Sequence, residues 1–488
     1  MKKHRMFVIQ ILSFLVIISI LVCVVNNILT PKKYYENMWS TTSTYEGFYK
    51  MEKNTVDVLF LGSSHAASTF IPQVMYDEYG IRSYNLGCEQ QNLLVSYYWL
   101  KEALRYQQPQ VVVLDSYVLY DLVADENLNS SESCTRMAID AMRWSPLKLE
   151  AVRAICKNDE KQSFKSYLLT NIRYHSRWIG LTQNDFIRKE QKNHYELKGY
   201  APMNSKSGRE FDPFCSNEAD ECDNMHPLMM EYLNKITEIC REKGIKLILT
   251  KTPTAMWNSE KYKATLEYAE NNTLEFWDYN EESLYSEADF VFSEDMSDND
   301  HSNIWGAEKI TASLAKKLSN DIGVKASKDL QWDNSKAFCS QVRTDCELKY
   351  ITDICQYLET INSEYYAIFI SSLGDTNAYI SEDIAEKLYE LGLSSCLEAN
   401  KSYCAVKSHN NISEKVEEEE AVLLGNINGG QEEYSLRSSN IPTDLGSSIR
   451  INGSNYSCNA YGINIVVYSV DRRKVVDSCY YDGELHRS

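Results

Sequence analysis

The longest hydrophobic stretch runs from Phe7 to Leu29 and holds no charged residue. As a helix rising ~1.5 Å per residue it reaches roughly 34 Å, enough for a bilayer core of ~30 Å. Polar text follows, read as a stalk over 30–54. Short apolar runs then begin. Val56–Leu61, Arg82–Leu86, Val111–Leu114, Ile245–Leu249 and Phe276–Tyr279 read as strands. Leu93–Tyr106, His226–Lys243 and Gly306–Leu318 carry apolar residues at helical spacing. Strands separated by helices imply an α/β domain with a parallel sheet flanked by helices, here over 55–320. The rhythm breaks at about 120–225, which is expected to form a helical insertion over the active edge of the sheet. Polar text over 321–345 reads as a linker. A second α/β pattern occupies 346–488, with strands at Tyr366–Ser371, Ser402–Val406 and Gly462–Tyr468 and a helix at Ser381–Leu391.

The ends of the apolar run give it a direction. Lys2, Lys3 and Arg5 precede it, so residues 1–6 are expected in the cytoplasm, 7–29 in the membrane and the rest outside. The first Ala of the chain is Ala66, so no Ala-x-Ala cleavage site follows the run and an uncleaved anchor is expected. Lys plus Arg number 50 against 69 Asp plus Glu, a net charge of −19, which argues against a nucleic-acid partner. Of the 14 cysteines only Cys23 lies in the run, and no pair of CxxC motifs suggests a zinc site.

Two short segments carry the candidate chemistry. Gly62-Ser63-Ser64-His65 follows the first strand, and Asp298-Asn-Asp-His301-Ser-Asn303 precedes the closing helix of the first domain. A nucleophilic serine needs a base for its proton, and the base needs an acid to hold its tautomer. Asp298 and His301 lie three residues apart, so one tight turn can aim both at one point. A serine on a strand-to-helix turn has an exposed hydroxyl beside converging backbone N–H groups, a natural cradle for an oxyanion. Gly87, on the neighbouring turn, permits close approach of a further N–H. Ligands of such sheets sit beyond the carboxyl ends of the strands, where Ser63, Ser64, Gly87 and Asp115 fall. Further candidate substrate contacts are His65 beside the serine, Asp115, and His175, Arg177 and Trp178 in the insertion. Each has a plainer reading: a cap for Asp115, local packing for His65, a salt bridge for Arg177, a structural Trp for Trp178.

These segments resemble the blocks of the SGNH/GDSL hydrolase superfamily. By that resemblance Ser64 is the nucleophile, His301 the base and Asp298 its orienting acid. The Ser64 and Gly87 backbones form the oxyanion hole, and no cofactor or metal is needed. The Gly-Ser-Ser-His turn, the anchor and the insertion look closest to the membrane-attached branch that includes teichoic-acid D-alanylation and alginate-acetylation proteins. That branch moves acyl groups on surface polymers, often beside a membrane-bound O-acyltransferase. One departure stands out. The third block of the superfamily supplies an Asn to the oxyanion hole, whereas this chain has Leu114-Asp115-Ser116-Tyr117.

Residues 346–488 are similar to the ILEI-like domain, through Ala367-Ile-Phe-Ile-Ser-Ser-Leu-Gly-Asp375, Tyr403-Cys-Ala-Val406 and Gly462-Ile-Asn-Ile-Val-Val-Tyr468. In the animal members the Gly-Ile-Asn strand comes first, and here it comes last. The resemblance implies carbohydrate binding. The expected function is thus O-acyl transfer, most simply of acetyl, to an extracytoplasmic polysaccharide or teichoic-acid-like polymer through an acyl-serine. A short-chain carbohydrate esterase, a lipase-like esterase and a catalytically idle scaffold of glycan assembly are the alternatives.

Overall fold

The structure is a computed structural model and describes residues 2–30, 41–120, 123–124, 127–128, 130–181, 183–186, 192–209, 225–393, 401–440 and 446–487. It divides into two units, Met1–Lys336 and Ala337–Ser488. The chain opens with helix α1 (Lys2–Leu29), whose segment Arg5–Leu29 is long and apolar enough to span a membrane. Of the stretch read as a stalk, 31–40 lies outside the described residues, and Thr41–Phe48 forms helix α2 with Tyr45 and Phe48 fully buried.

Five strands form the sheet of the first unit: β1 (Val58–Leu61), β2 (Ser83–Asn85), β3 (Val111–Asp115), β4 (Lys246–Lys251) and β5 (Glu275–Asp278). They lie in the order β2-β1-β3-β4-β5, all parallel. The central strands β1 and β3 are short and largely apolar because both faces are covered. Side chains alternate between two cores. Leu59, Leu61, Val112, Leu114, Leu247 and Leu249 face one core, and Val58, Phe60, Val111, Val113 and Ile248 face the other.

Helices α3 (Ser64–Thr69), α4 (Pro72–Tyr79), α5 (Leu93–Ala103), α6 (Pro227–Lys243) and α7 (Ile304–Lys317) flank this sheet. Local signals set their ends. Asn92 caps α5 by accepting the Val95 N–H at 3.0 Å, and Gly244 ends α6 in the left-handed conformation at φ 67°. Leu93, Trp99 and Leu100 of α5 pack with Leu233 and Ile236 of α6 on one face, while Ile310 and Leu314 of α7 pack against the other. The order reverses between β1 and β3, and at such a switch point the chain ends of the strands open a crevice. The Ser64 turn leaves β1 there.

Within 321–345, read as a linker, the chain forms helix Leu330–Asp333 and enters α8 (Lys336–Glu347), which buries Phe338, Val342 and Cys346. The second unit holds a mixed ten-stranded sheet around β6 (Tyr366–Leu373). Strands β7 (Ser402–Ser408) and β8 (Gly462–Ser469) flank β6, both antiparallel to it. Tyr366, Ile368 and Ile370 pack with Tyr357, Leu358, Ile384 and Leu388 from two helices. Ala367 and Phe369 face Leu436, Ile449 and Ile451 on the other side. The acidic run Glu417–Glu420 spans the end of strand Asn411–Glu417 and the start of strand Glu420–Ile427.

Candidate active site

Ser64 opens α3 directly after β1, and His301 and Asp298 lie on the loop before α7. The sheet brings these loops together. His301 Nε2 lies 2.9 Å from Ser64 Oγ, across 237 positions of sequence. His301 Nδ1 lies 3.0 Å from each carboxylate oxygen of Asp298. Asp298 Oδ1 also accepts the backbone N–H groups of Asp300 at 2.8 Å and His301 at 2.9 Å. Burial pushes the Asp298 carboxyl up, but the His301 ring and these two N–H groups together outweigh it and hold it below the ordinary carboxylate range. Asp298 therefore stays anionic, fixing Nδ1 as the protonated ring nitrogen and leaving Nε2 to accept from Ser64. The His301 side chain is 16 % exposed and that of Asp298 48 %, so solvent reaches this end of the site.

The turn that presents Ser64 needs its glycine. Gly62 sits at φ 153°, and a Cβ there would meet Ala66 Cβ at 2.8 Å and Asp115 Cβ at 3.1 Å. Gly87 is equally confined. A Cβ on it would meet Ser63 O at 2.9 Å and Ala67 N at 3.0 Å. The Gly87 N–H, read from the sequence as a second oxyanion donor, instead donates to Asn85 Oδ1 at 2.9 Å. Asn85 Nδ2 in turn donates to the Ala66 and Phe70 carbonyls at 2.7 and 3.1 Å. Asn85 thus clasps the second turn to α3, while the Ser64 N–H heads the helix, where first-turn N–H groups have no intrahelical acceptor.

Asp115, which replaces the expected Asn, is fully buried and faces inward. Its Oδ1 accepts the Tyr117 N–H at 3.1 Å as the cap of a short helix, and its Oδ2 accepts the Thr252 N–H at 3.0 Å. Lys251 Nζ, also fully buried, lies 4.0 Å from Asp115 Oδ2 and 3.4 Å from His65 Nδ1. His65 is buried, stacks on Tyr117 with centroids 3.9 Å apart and lies 5.1 Å from the His301 ring. Burial, Lys251 and His301 all push its pKa far below the ordinary histidine value, so its ring is neutral. Nothing local in the sequence marks Lys251, which ends β4 two residues before Pro253. Its neighbourhood continues to Trp257, whose Nε1 donates to Asp278 Oδ2 at 2.7 Å.

The insertion behaves as two pieces. Its last described part runs along the site, with Ala201 N donating to Ala67 O at 2.8 Å and Ile304 N to Met203 O at 2.8 Å. Residues 210–224 lie outside the described residues. The stretch with His175, Arg177 and Trp178 goes elsewhere, to the end of α1. Arg177 Nη1 donates to Leu29 O at 2.5 Å, and Arg177 Nη2 pairs with Asp185 at 2.6 Å. His175 Nδ1 contacts Ile172 O at 2.9 Å, and Trp178 is exposed. These three contacts join His175 and Arg177 to α1 and to the insertion itself rather than to the Ser64 turn.

Among the described residues no group of three or more His, Cys, Asp or Glu side chains is arranged to hold a metal ion. A comparison with known protein families finds none that matches the chain, and a comparison with curated proteins finds no match either.

Proposed function

We propose that this protein is a membrane-anchored O-acyltransferase of SGNH type, using Ser64 to carry an acyl group to a hydroxyl of an extracytoplasmic polysaccharide or teichoic-acid-like polymer. The carrying observation is the continuous line from Ser64 Oγ through the His301 ring to Asp298, with every gap at 2.9 to 3.0 Å. The parallel sheet with the serine at its switch point is the flavodoxin-like arrangement expected of that superfamily. α1 serves as the anchor, with residues 1–6 cytoplasmic and the catalytic unit outside. The second unit, ILEI-like in its strand motifs, holds the polymer, and a membrane-bound O-acyltransferase supplies the acyl group.

The chemistry divides into two displacements. Ser64 Oγ attacks the acyl carbonyl as its proton passes to His301 Nε2, and the Ser64 N–H faces the developing oxyanion. The tetrahedral adduct collapses, the bond to the donor breaks, and His301 returns the proton to the departing group. A sugar hydroxyl then gives its proton to His301 and attacks the acyl-serine. Collapse releases the new ester, and Ser64 Oγ takes back the proton. Asp298 remains anionic throughout and stabilises the imidazolium. Asp115 does not oppose the oxyanion, because its charge faces Lys251 and two backbone N–H groups.

The half-exposed Asp298 favours a second reading, a short-chain carbohydrate esterase, because water also reaches the acyl-serine. One experiment separates the two. The full chain is exposed to a short activated ester, and intact mass is followed for wild type and Ser64→Ala. An adduct on Ser64 that persists until a glycan is added supports transfer. Rapid clearance by water supports the esterase, and no Ser64-dependent adduct or turnover removes both.

A further inference from the structure

The insertion stretch beside α1 is rich in exposed apolar side chains. Leu168, Leu169, Ile172, Trp178, Ile179 and Phe186 are exposed by 45 to 77 %. Soluble surfaces scatter such residues singly, whereas here they gather within one short stretch. The same stretch, from Phe164 to Phe186, contains Lys165, Arg173 and Arg177 against one acidic residue, Asp185, in a chain with a net charge of −19. Apolar anchors, a Trp and basic residues together are the composition of a segment lying in a membrane interface.

Its position fits that composition. A hydrocarbon core of ~30 Å takes up about 20 helical residues, so a span beginning near Phe7 reaches the far interface around Asn26. There the insertion docks. The Asn171 N–H donates to Asn26 Oδ1 at 3.1 Å, and Arg177 reaches the Leu29 carbonyl, one of the last carbonyls of α1 without an intrahelical donor. Leu29 is buried, whereas the apolar side chains of α1 from Phe7 to Val25 are largely exposed. The stretch therefore docks on the end of α1, at the level where that helix, read as a span, leaves the bilayer. Arg173 pairs with Glu132 and Arg177 with Asp185 at 2.6 Å, which holds the arginines in place beneath the apolar face.

We propose that residues 164–186 form a foot that inserts Trp178, Ile179 and their apolar neighbours into the headgroup–acyl boundary of the leaflet from which α1 emerges. This rests on the reading of α1 as a membrane span. The occupant is lipid, and a protein partner on this face is an outcome of the test. Such a foot adds a second point of attachment to the helix, so the catalytic unit cannot pivot freely about a single anchor. Its site then stays close to a donor held in the membrane.

The test uses the full chain in phosphatidylcholine vesicles containing a phospholipid with a photoactivatable diazirine near the head of its acyl chain. Cross-linked peptides are mapped by mass spectrometry for wild type, Trp178→Glu with Ile179→Glu, and Trp178→Phe. Wild type is expected to carry lipid adducts on peptides from both α1 and 164–186. The double variant should lose the second set and keep the first, with its thermal midpoint unchanged because both side chains are exposed. Trp178→Phe, which keeps the apolar character, should retain both sets. Adducts on α1 alone overturn the foot and leave the span standing, as does a foot signal that the double variant does not reduce. Adducts on neither peptide overturn the span and the foot with it. A protein partner covering the foot would keep the lipid probe away and leave adducts on α1 alone, which overturns the proposal.

Discussion

Asp298 binds His301 twice, accepting from its ring at Nδ1 and from its own backbone N–H through the same oxygen, Oδ1. The carboxylate therefore orients the base and also folds the turn that carries it. Removing its charge should affect both.

In Asp298→Asn the ring loses the anion that selects its tautomer. Acylation of Ser64 by a short activated ester should fall by about 10²- to 10⁴-fold, with the thermal midpoint at neutral pH lowered only slightly. A second signature lies in acid. A carboxyl held below its ordinary value contributes stability above the unfolded pKa and loses it as pH falls through the folded one. Wild type should then lose more stability than the variant on going from about pH 5 to below pH 4. A drop in acylation of less than about tenfold would leave Asp298 outside the catalytic chain.

Gly62→Ala tests the turn. The added Cβ would be pressed between Ala66 and Asp115 at 2.8 and 3.1 Å, both on elements fixed by the sheet. The expected cost is about 1–3 kcal/mol, with acylation of Ser64 reduced as the hydroxyl is displaced from His301. Denaturant melts and acylation rates measured together decide this, and an unaltered rate would show that the turn is adaptable.

Lys251 and Asp115 form a fully buried pair 4.0 Å apart. Lys251→Met should cost about 3–5 kcal/mol because it leaves a carboxylate without its cation in a dry site. Adding Asp115→Asn should recover part of that loss, with a coupling of about 1–3 kcal/mol. Simple additivity in the double-mutant cycle would mean that the two charges do not depend on each other.

Burial pushes the Asp278 carboxyl up to about 7, against hydrogen bonds from Asn280 and Trp257. A carboxyl raised in the fold binds its proton more tightly there than in the unfolded chain. Its contribution to stability is therefore largest at low pH and shrinks as pH rises from about 4 to about 7. The deficit of Asp278→Asn relative to wild type should accordingly be greatest near pH 4 and smaller at pH 8. Chemical denaturation across that range would refute the assignment if the deficit were constant or grew with pH.

Much of the first unit was legible because its signals are local. The apolar runs Val56–Leu61 and Val111–Leu114 read as strands and became β1 and β3, and the helical spacing of His226–Lys243 became α6. Ser64, Asp298 and His301 were legible because a strand-to-helix turn and an Asp-x-x-His spacing are themselves local patterns. Asn85 and Lys251 were not, since each owes its role to neighbours from other loops, α3 for one and Asp115 with His65 for the other. The docking of Arg177 on Leu29 was not legible for the same reason, since it depends on how the insertion packs against α1.

Sequence by itself determined the α/β class, the apolar helix and the serine, histidine and aspartate that are proposed as nucleophile, base and acid. Hydrophobic periodicity, capping and turn chemistry act over a few residues, so a linear reading contains them. Tertiary structure alone decided that Ser64 meets His301 across 237 positions, that Asp115 turns inward, and that the insertion splits between the site and α1. Those outcomes depend on strand order and on burial, where a buried charge must find its partner wherever the fold brings one.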